Sequence, residues 1–157
     1  MPRRSCGVQG SRMAQQVFTV SSSLSVPEAF DRCIDLTRVN EWDRGVSNSR
    51  LISGTGSAVG SEFDVTVTGF DGQPAHVVYR LLEVDAPNRF VMEGVNDVFR
   101  AYDVLTFTPT DDGCEVLYDA QLELLGDDPP MTSEQLDTLF ARVAAVPEAG
   151  LGTFLNP

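Results

Sequence analysis

The chain has 157 residues, 42% hydrophobic and 22% charged, a size and mix that suit one globular domain with a single sizeable core. Its formal net charge is −12, from 23 acidic and 11 basic residues, and three of the basic ones (Arg3, Arg4, Arg12) precede Met13 in a stretch with no acidic residue. An acidic surface of this kind repels phosphate backbones and anionic headgroups, which argues against nucleic-acid and membrane partners, and the lack of any lysine removes Schiff-base chemistry.

Residues 1–12 are small, polar and aperiodic and lack the apolar block of a secretory signal. They read as a disordered extension ahead of a domain spanning 13–157, and a cytoplasmic protein is expected. No apolar run approaches the roughly 20 residues of a membrane-spanning helix, so membrane insertion is not expected. Residues 17–26 alternate, placing Phe18, Val20, Ser22 and Leu24 on one face of a first strand. Pro27 then opens a helix where a missing N–H costs least, with Phe30, Cys33, Ile34 and Thr37 at helical spacing, and a short turn or second helix runs to Trp42 and Asp43. Cys6, Cys33 and Cys114 are far apart and form no C-x-x-C pair, so they indicate neither a disulfide framework nor a zinc site.

Downstream, β-branched and aromatic residues punctuated by Gly, Pro, Asn and Asp signal successive antiparallel strands near 47–53, 60–69, 74–84, 89–95, 98–108 and 114–125. With the first strand this makes seven. Asp71-Gly72 suits a two-residue hairpin turn, which pairs Val67 with His76, Val65 with Val78 and Phe63 with Arg80 on a shared face. A second hairpin through Thr110–Gly113 pairs Phe107 with Val116, Leu105 with Tyr118 and Asp103 with Ala120, and Phe99, Ala101 and Leu122 join that apolar, inward face. After the breaker loop Gly126–Pro130, Thr132 and Gln135 form a capping box for a final helix with the stripe Leu136, Phe140, Val143, Leu151 and Phe154. Pro147 interrupts this helix at a cost of about 3 kcal/mol, which burial of the stripe outweighs. A helix kinked near 143–147, or two in near-continuation, is therefore expected.

The segment SVPEAFDRCIDLTRVNEWD, residues 25–43, resembles the opening of the START-like helix-grip superfamily, in particular its polyketide cyclase/dehydrase-like branch. Val59-Gly60, Asp85–Phe90, Phe107-Thr108-Pro109 followed by Asp112-Gly113, Glu148–Leu151 and Leu155-Asn156-Pro157 extend the resemblance over about residues 16–157. Cys114, where many members have Thr, and Pro147 within the final helix depart from the pattern. The resemblance implies an α+β helix-grip fold: a seven-stranded curved antiparallel sheet around a long C-terminal helix, with two short helices after strand 1. It also implies an internal cavity but no particular reaction, since the superfamily includes carriers, hormone-binding proteins and cyclases.

Three functions remain open on the sequence. The first is binding of a small hydrophobic molecule (a lipid, polyketide or aromatic metabolite), with Trp42, Phe63, Val65, Val67, Arg80, Phe90, Met92, Phe99, Asp103, Tyr118, Phe140 and Val143 as the ligand-binding set. The second is a cyclase or dehydratase without metal or nucleotide cofactor, with His76, Arg80 and Tyr118 as catalytic candidates. The third is a protein-binding regulatory module using Tyr102, Val104, Thr106 and Leu117 on the outer face. His76 is either a general base or a solvent-facing rim residue, the latter being favoured. Arg80 and Asp103 either orient a ligand or, as is favoured, form a structural ion pair at a strand end or turn outward in another register, and Tyr118 and Trp42 either line a pocket or, as is favoured, pack the core. No cofactor or metal is expected, because one histidine and no cysteine cluster give no ligand set. Oligomeric state is not readable.

Overall fold

The computed structural model describes residues 12–126 and 131–157. Apart from Arg12, the expected N-terminal extension lies outside the described residues, as do Cys6 and residues 127–130 of the breaker loop. The elements in chain order are β1 Met13–Ser22, α1 Val26–Ile34, a 3-10 helix Leu36–Glu41, β2 Val46–Ser53, β3 Glu62–Thr68, β4 Pro74–Asp85, β5 Arg89–Val95, β6 Phe99–Thr110, β7 Gly113–Leu124 and α2 Ser133–Phe154. The strands form one curved antiparallel sheet in the order β1-β7-β6-β5-β4-β3-β2, and the two helices after β1 and the long α2 complete a helix grip.

Local chemistry accounts for the element ends. Ser25 and Glu28 form a reciprocal capping box at the start of α1, where Pro27 occupies the first turn, and Thr132 and Gln135 do the same for α2. One face of α1 buries Ala29, Phe30, Cys33 and Ile34. Phe30 packs edge-on to Phe90 and Phe107, at centroid distances of 5.7 and 5.4 Å, giving a solid aromatic core under α1. Burial there pushes the Cys33 thiol up to about 12, so it is an inert core residue.

The β6–β7 hairpin has the expected register: Phe107 pairs with Val116, Leu105 with Tyr118 and Asp103 with Ala120. The β3–β4 hairpin does not. Its connection is the five-residue loop Gly69–Gln73, closed by Gly69 N–H donating to the Gln73 carbonyl at 2.8 Å, instead of a two-residue turn at Asp71-Gly72. Phe63 therefore pairs with Tyr79, Val65 with Val77 and Thr66 with His76. A slip of one residue reverses every side chain of a strand, so His76 and Arg80 move to the outer face and Tyr79 takes the inner one.

Helix α2 continues through Pro147 as a single 22-residue element. Pro147 is itself buried, in a stripe of Leu136, Phe140, Ala144, Pro147, Leu151 and Phe154, so the residue that costs a backbone hydrogen bond also contributes apolar burial. Val143, expected in that stripe, is 48% exposed, because the steps from Phe140 to Ala144 and Pro147 carry the buried face past it.

The C-terminal end of α2 is pinned. Ser22 Oγ donates to the Leu155 carbonyl, Arg32 donates to the Phe154 carbonyl at 3.1 Å, and Asn156 Nδ2 donates to Ser21 O at 2.9 Å. Gly150 lies so close to the Trp42 carbonyl that a Cβ added there would stand 1.8 Å from its oxygen. Gly150→Ala is expected to destabilise the fold by about 3 kcal/mol, since backbone cannot yield as a side chain does. Gly152→Ala, whose Cβ would meet nothing within 4 Å, is expected to stabilise by up to about 1 kcal/mol through helix propensity. Urea midpoints of the two variants, measured side by side, should shift in opposite directions.

Candidate functional site

Between its pinned C-terminal end and its capped start, α2 stands off from the sheet and encloses a cavity of about 520 Å³. The interior is walled by Phe18 of β1, Trp42, Val65 of β3, Met92 of β5, Ala101 of β6 and Tyr118 of β7, with Phe140 and Ala144 of α2 opposite. Phe18 stacks on Tyr118 at 5.0 Å and Trp42 meets Tyr118 edge-on at 6.3 Å, so three aromatic rings form one continuous wall. The exposed lining residues are Arg142, Val143 and Val146 on α2, with Thr68 and Phe70 at the β3–β4 loop, and they place the mouth between helix and loop.

Polar groups inside are few. Asp103 sits mid-strand on the inner face, 7% exposed, and accepts a hydrogen bond from the Tyr118 hydroxyl at 2.9 Å. Its other carboxylate oxygen makes no hydrogen bond among the described residues. Burial pushes the Asp103 carboxyl up to about 7, against the lowering effect of the Tyr118 hydrogen bond and with further raising by the charges of Asp43 and Asp119. Burial and the Asp103 charge together raise Tyr118 and Tyr79 well above the usual phenol range, so both are neutral donors. Asp43, whose Oδ1 accepts from Gly45 N–H at 2.9 Å, is also raised by burial. The Trp42 indole N–H is buried without a hydrogen-bond partner among the described residues.

Of the residues expected to contact a ligand, Trp42, Val65, Val67, Met92, Phe99, Asp103, Tyr118, Phe140 and Val143 line the cavity. Phe63 and Phe90 are fully buried but belong to the packed core, Phe90 through its contacts with Phe30 and Phe107. Alternation assigns a face to a residue, but which helix covers each end of the strand is a tertiary matter. His76 lies on the outer face 2.9 Å from Asp64, and Arg80 there pairs with Glu62 at 2.7 Å. Neither reaches the cavity, because of the one-residue register shift. Tyr79 and Asp43 are polar residues of the lining that were not among the expected contacts. One sequence signal points to Tyr79: its strand partner is Gly94, where an added Cβ would fall 2.5 Å from the Tyr79 ring, and a glycine inside a strand marks such close approach. Among the described residues there is no group of three or more metal-ligating side chains.

A curved sheet gripping a helix over an apolar cavity defines a START-like protein. The sequence matches the polyketide cyclase / dehydrase and lipid transport family over residues 13–153, and the chain belongs to that family. Among solved structures it is similar to the di-domain ARO/CYC StfQ from the steffimycin biosynthetic pathway (TM-score 0.73, 12% identity), covering 96% of this chain and 52% of that one. The chain thus spans about half the length of StfQ. It is also similar to a START superfamily protein from Mycobacterium smegmatis (TM-score 0.71, 12% identity, 91% of this chain and 96% of that one). A third similar structure is Ara h 8.0201 (TM-score 0.64, 15% identity, 91% and 98%). At these identities the likeness is one of fold. No curated protein matches the sequence. Among the described residues no helix is long and apolar enough to cross a membrane.

The raised Asp103 has a consequence for stability. In the folded protein it holds its proton up to about pH 7, and in the unfolded chain only to about pH 4. Between these values the folded state carries the extra proton, so this group's contribution to stability falls as pH rises. Asp103→Asn, neutral throughout, should gain about 3 kcal/mol relative to the parent on going from pH 5 to pH 8.5. Urea unfolding of both proteins at the two pH values checks this; an equal difference at both would contradict it.

Proposed function

We propose that this protein binds a small hydrophobic molecule, such as a lipid, polyketide or aromatic metabolite, in the cavity between α2 and the sheet. The observation that carries the reading is the cavity itself. About 520 Å³ lies within the 300–1,000 Å³ typical of small-molecule sites, and its walls are apolar and aromatic around a small polar cluster. Well-packed domains do not leave such a space open without cost, since every lining atom forfeits contacts it would make in a filled core. The ligand enters between Val143 and Val146 of α2 and the loop at Phe70.

A second reading, a cyclase or dehydratase acting on a carbonyl-rich chain, is favoured by one specific feature. Asp103 exchanges its proton near neutrality and lies beside the neutral phenol of Tyr118. In this reading the Asp103 carboxylate, oriented by Tyr118, takes a proton from a carbon flanked by carbonyls while Tyr79 donates to the developing oxyanion. His76 and Arg80 have no part in it, being on the far face of the sheet. The fold shared with the ARO/CYC protein StfQ supports this reading at the level of architecture.

Prodan, an uncharged fluorophore, should bind saturably at one site per chain with a blue-shifted emission. Ala101→Phe, which projects a ring into the cavity from β6, should weaken that binding at least tenfold while leaving the thermal midpoint within a few degrees. If prodan does not saturate, or the ring has no effect, the binding reading fails. For the enzymatic reading, Asp103→Asn should abolish turnover of a poly-ketone substrate that the parent protein converts.

A further inference from the structure

The Asp103 carboxyl lines the cavity with one of its two oxygens paired within the protein. One oxygen is satisfied by Tyr118, and the other makes no hydrogen bond to any described residue although the side chain is more than nine-tenths buried. If ionised, this group lacks a counter-cation; if protonated, its hydroxyl can donate to Tyr118 only by displacing the bond that Tyr118 now gives it, and otherwise needs an acceptor. Either way the missing partner has to come from the cavity. The surroundings decide between the two. Asp43 lines the same space, so the interior gathers two carboxyl groups. Arg142 is the one cationic side chain in the lining, and it is exposed at the mouth. Phe18, Trp42, Tyr79 and Tyr118 contribute aromatic rings to the lining, and the faces of such rings attract positive charge. The chain as a whole carries a net charge of −12, which draws cations and repels anions.

We propose that the cavity selects apolar ligands bearing a protonated nitrogen, which donates to the free oxygen of Asp103 while the aromatic wall packs around the ammonium and its carbon frame. This rests on the small-molecule reading above and narrows its ligand class. The groups that face or influence Asp103 are Asp43 from the segment after the 3-10 helix, Tyr79 from β4, Tyr118 and, through the sheet, Asp119 from β7, and Arg142 from α2. Its strand partner on β5 is Met92, and β1 contributes Phe18, neither of which titrates. Both phenols stay neutral across the physiological range, so the titration that governs cation binding is that of the two carboxyls. A cation binds the ionised form, and affinity therefore rises with pH through the neutral range.

The test uses three probes on one carbon frame: phenylbutylamine, phenylbutanol and phenylbutyrate, titrated calorimetrically into the full-length protein. The amine stays protonated from pH 5.5 to 8.5, so any change in its affinity belongs to the protein. At pH 8.5 the amine should bind at least tenfold more tightly than the alcohol, with the carboxylate weakest. Amine affinity should fall roughly 30-fold at pH 5.5, in line with a group titrating near 7. At pH 7 binding should release protons, seen as a heat that varies with the ionisation enthalpy of the buffer. In Asp103→Asn the ratio of amine to alcohol affinity should fall to about 1. The wild-type pH profile and proton release stand as evidence even if that variant does not fold. Equal binding of amine and alcohol, or amine affinity that rises on acidification, would overturn the proposal while prodan binding preserved the cavity reading. No saturable binding of prodan or any of the three probes would overturn both.

Discussion

The approach of Gly150 to the carbonyl of Trp42 is the contact on which the rest of the architecture depends. With no side chain on Gly150, α2 can rest directly on the end of the 3-10 helix, and the hydrogen bonds from Ser22, Arg32 and Asn156 secure that end. A helix held so firmly at its C-terminal end cannot settle onto the whole length of the sheet. Along its middle, residues 139–147, it bridges a gap, and that gap is the cavity. Trp42 joins the two regions, giving its carbonyl to the close helix contact and its ring to the cavity wall.

The inner surface of the sheet is thereby divided. Under α1, Phe30, Phe90 and Phe107 interlock as a solid core, which supplies much of the burial a domain of this size needs. Under α2, the same kind of strand residues face open space. The division separates stability from ligand binding: the packed half tolerates an unfilled half. It also explains why a carboxyl survives mid-strand at Asp103. In the packed half it would be an unsatisfied charge, whereas beside the cavity Tyr118 supplies one partner and the carboxyl borders open space.

Much of this was legible in the residues, and the reasons are local. The capping box at Thr132–Gln135, the opening of α1 at Pro27, the β6–β7 register and the inward position of Asp103 and Tyr118 all follow from nearest-neighbour chemistry and strict alternation. The β3–β4 register was misread because the loop chemistry is ambiguous. Asp71-Gly72 fits a two-residue turn, but Gly69 and Gln73 close a wider one, and the odd residue count turns His76 and Arg80 outward and Tyr79 inward. Val143 was misplaced by a smaller margin: a helical stripe has room for one residue per turn at its centre, and Ala144 and Pro147 occupy it.

The sequence by itself determined the order of elements, the family, the apolar character of the inner face and the presence of a carboxyl and a phenol upon it, because these depend on periodicity and on residues close in the chain. Only the tertiary structure decided which inward residues are packed and which line empty space. Phe63 and Phe90 have the same alternation as Val65 and Met92, yet the first two are packed in the core, Phe90 against Phe30 of α1, and the last two line the cavity. It also decided that Asp103 has a partner on one side and an opening on the other. Burial of that carboxyl and the pairing of one of its oxygens depend on residues from separate elements meeting at one point, and no local pattern records that meeting.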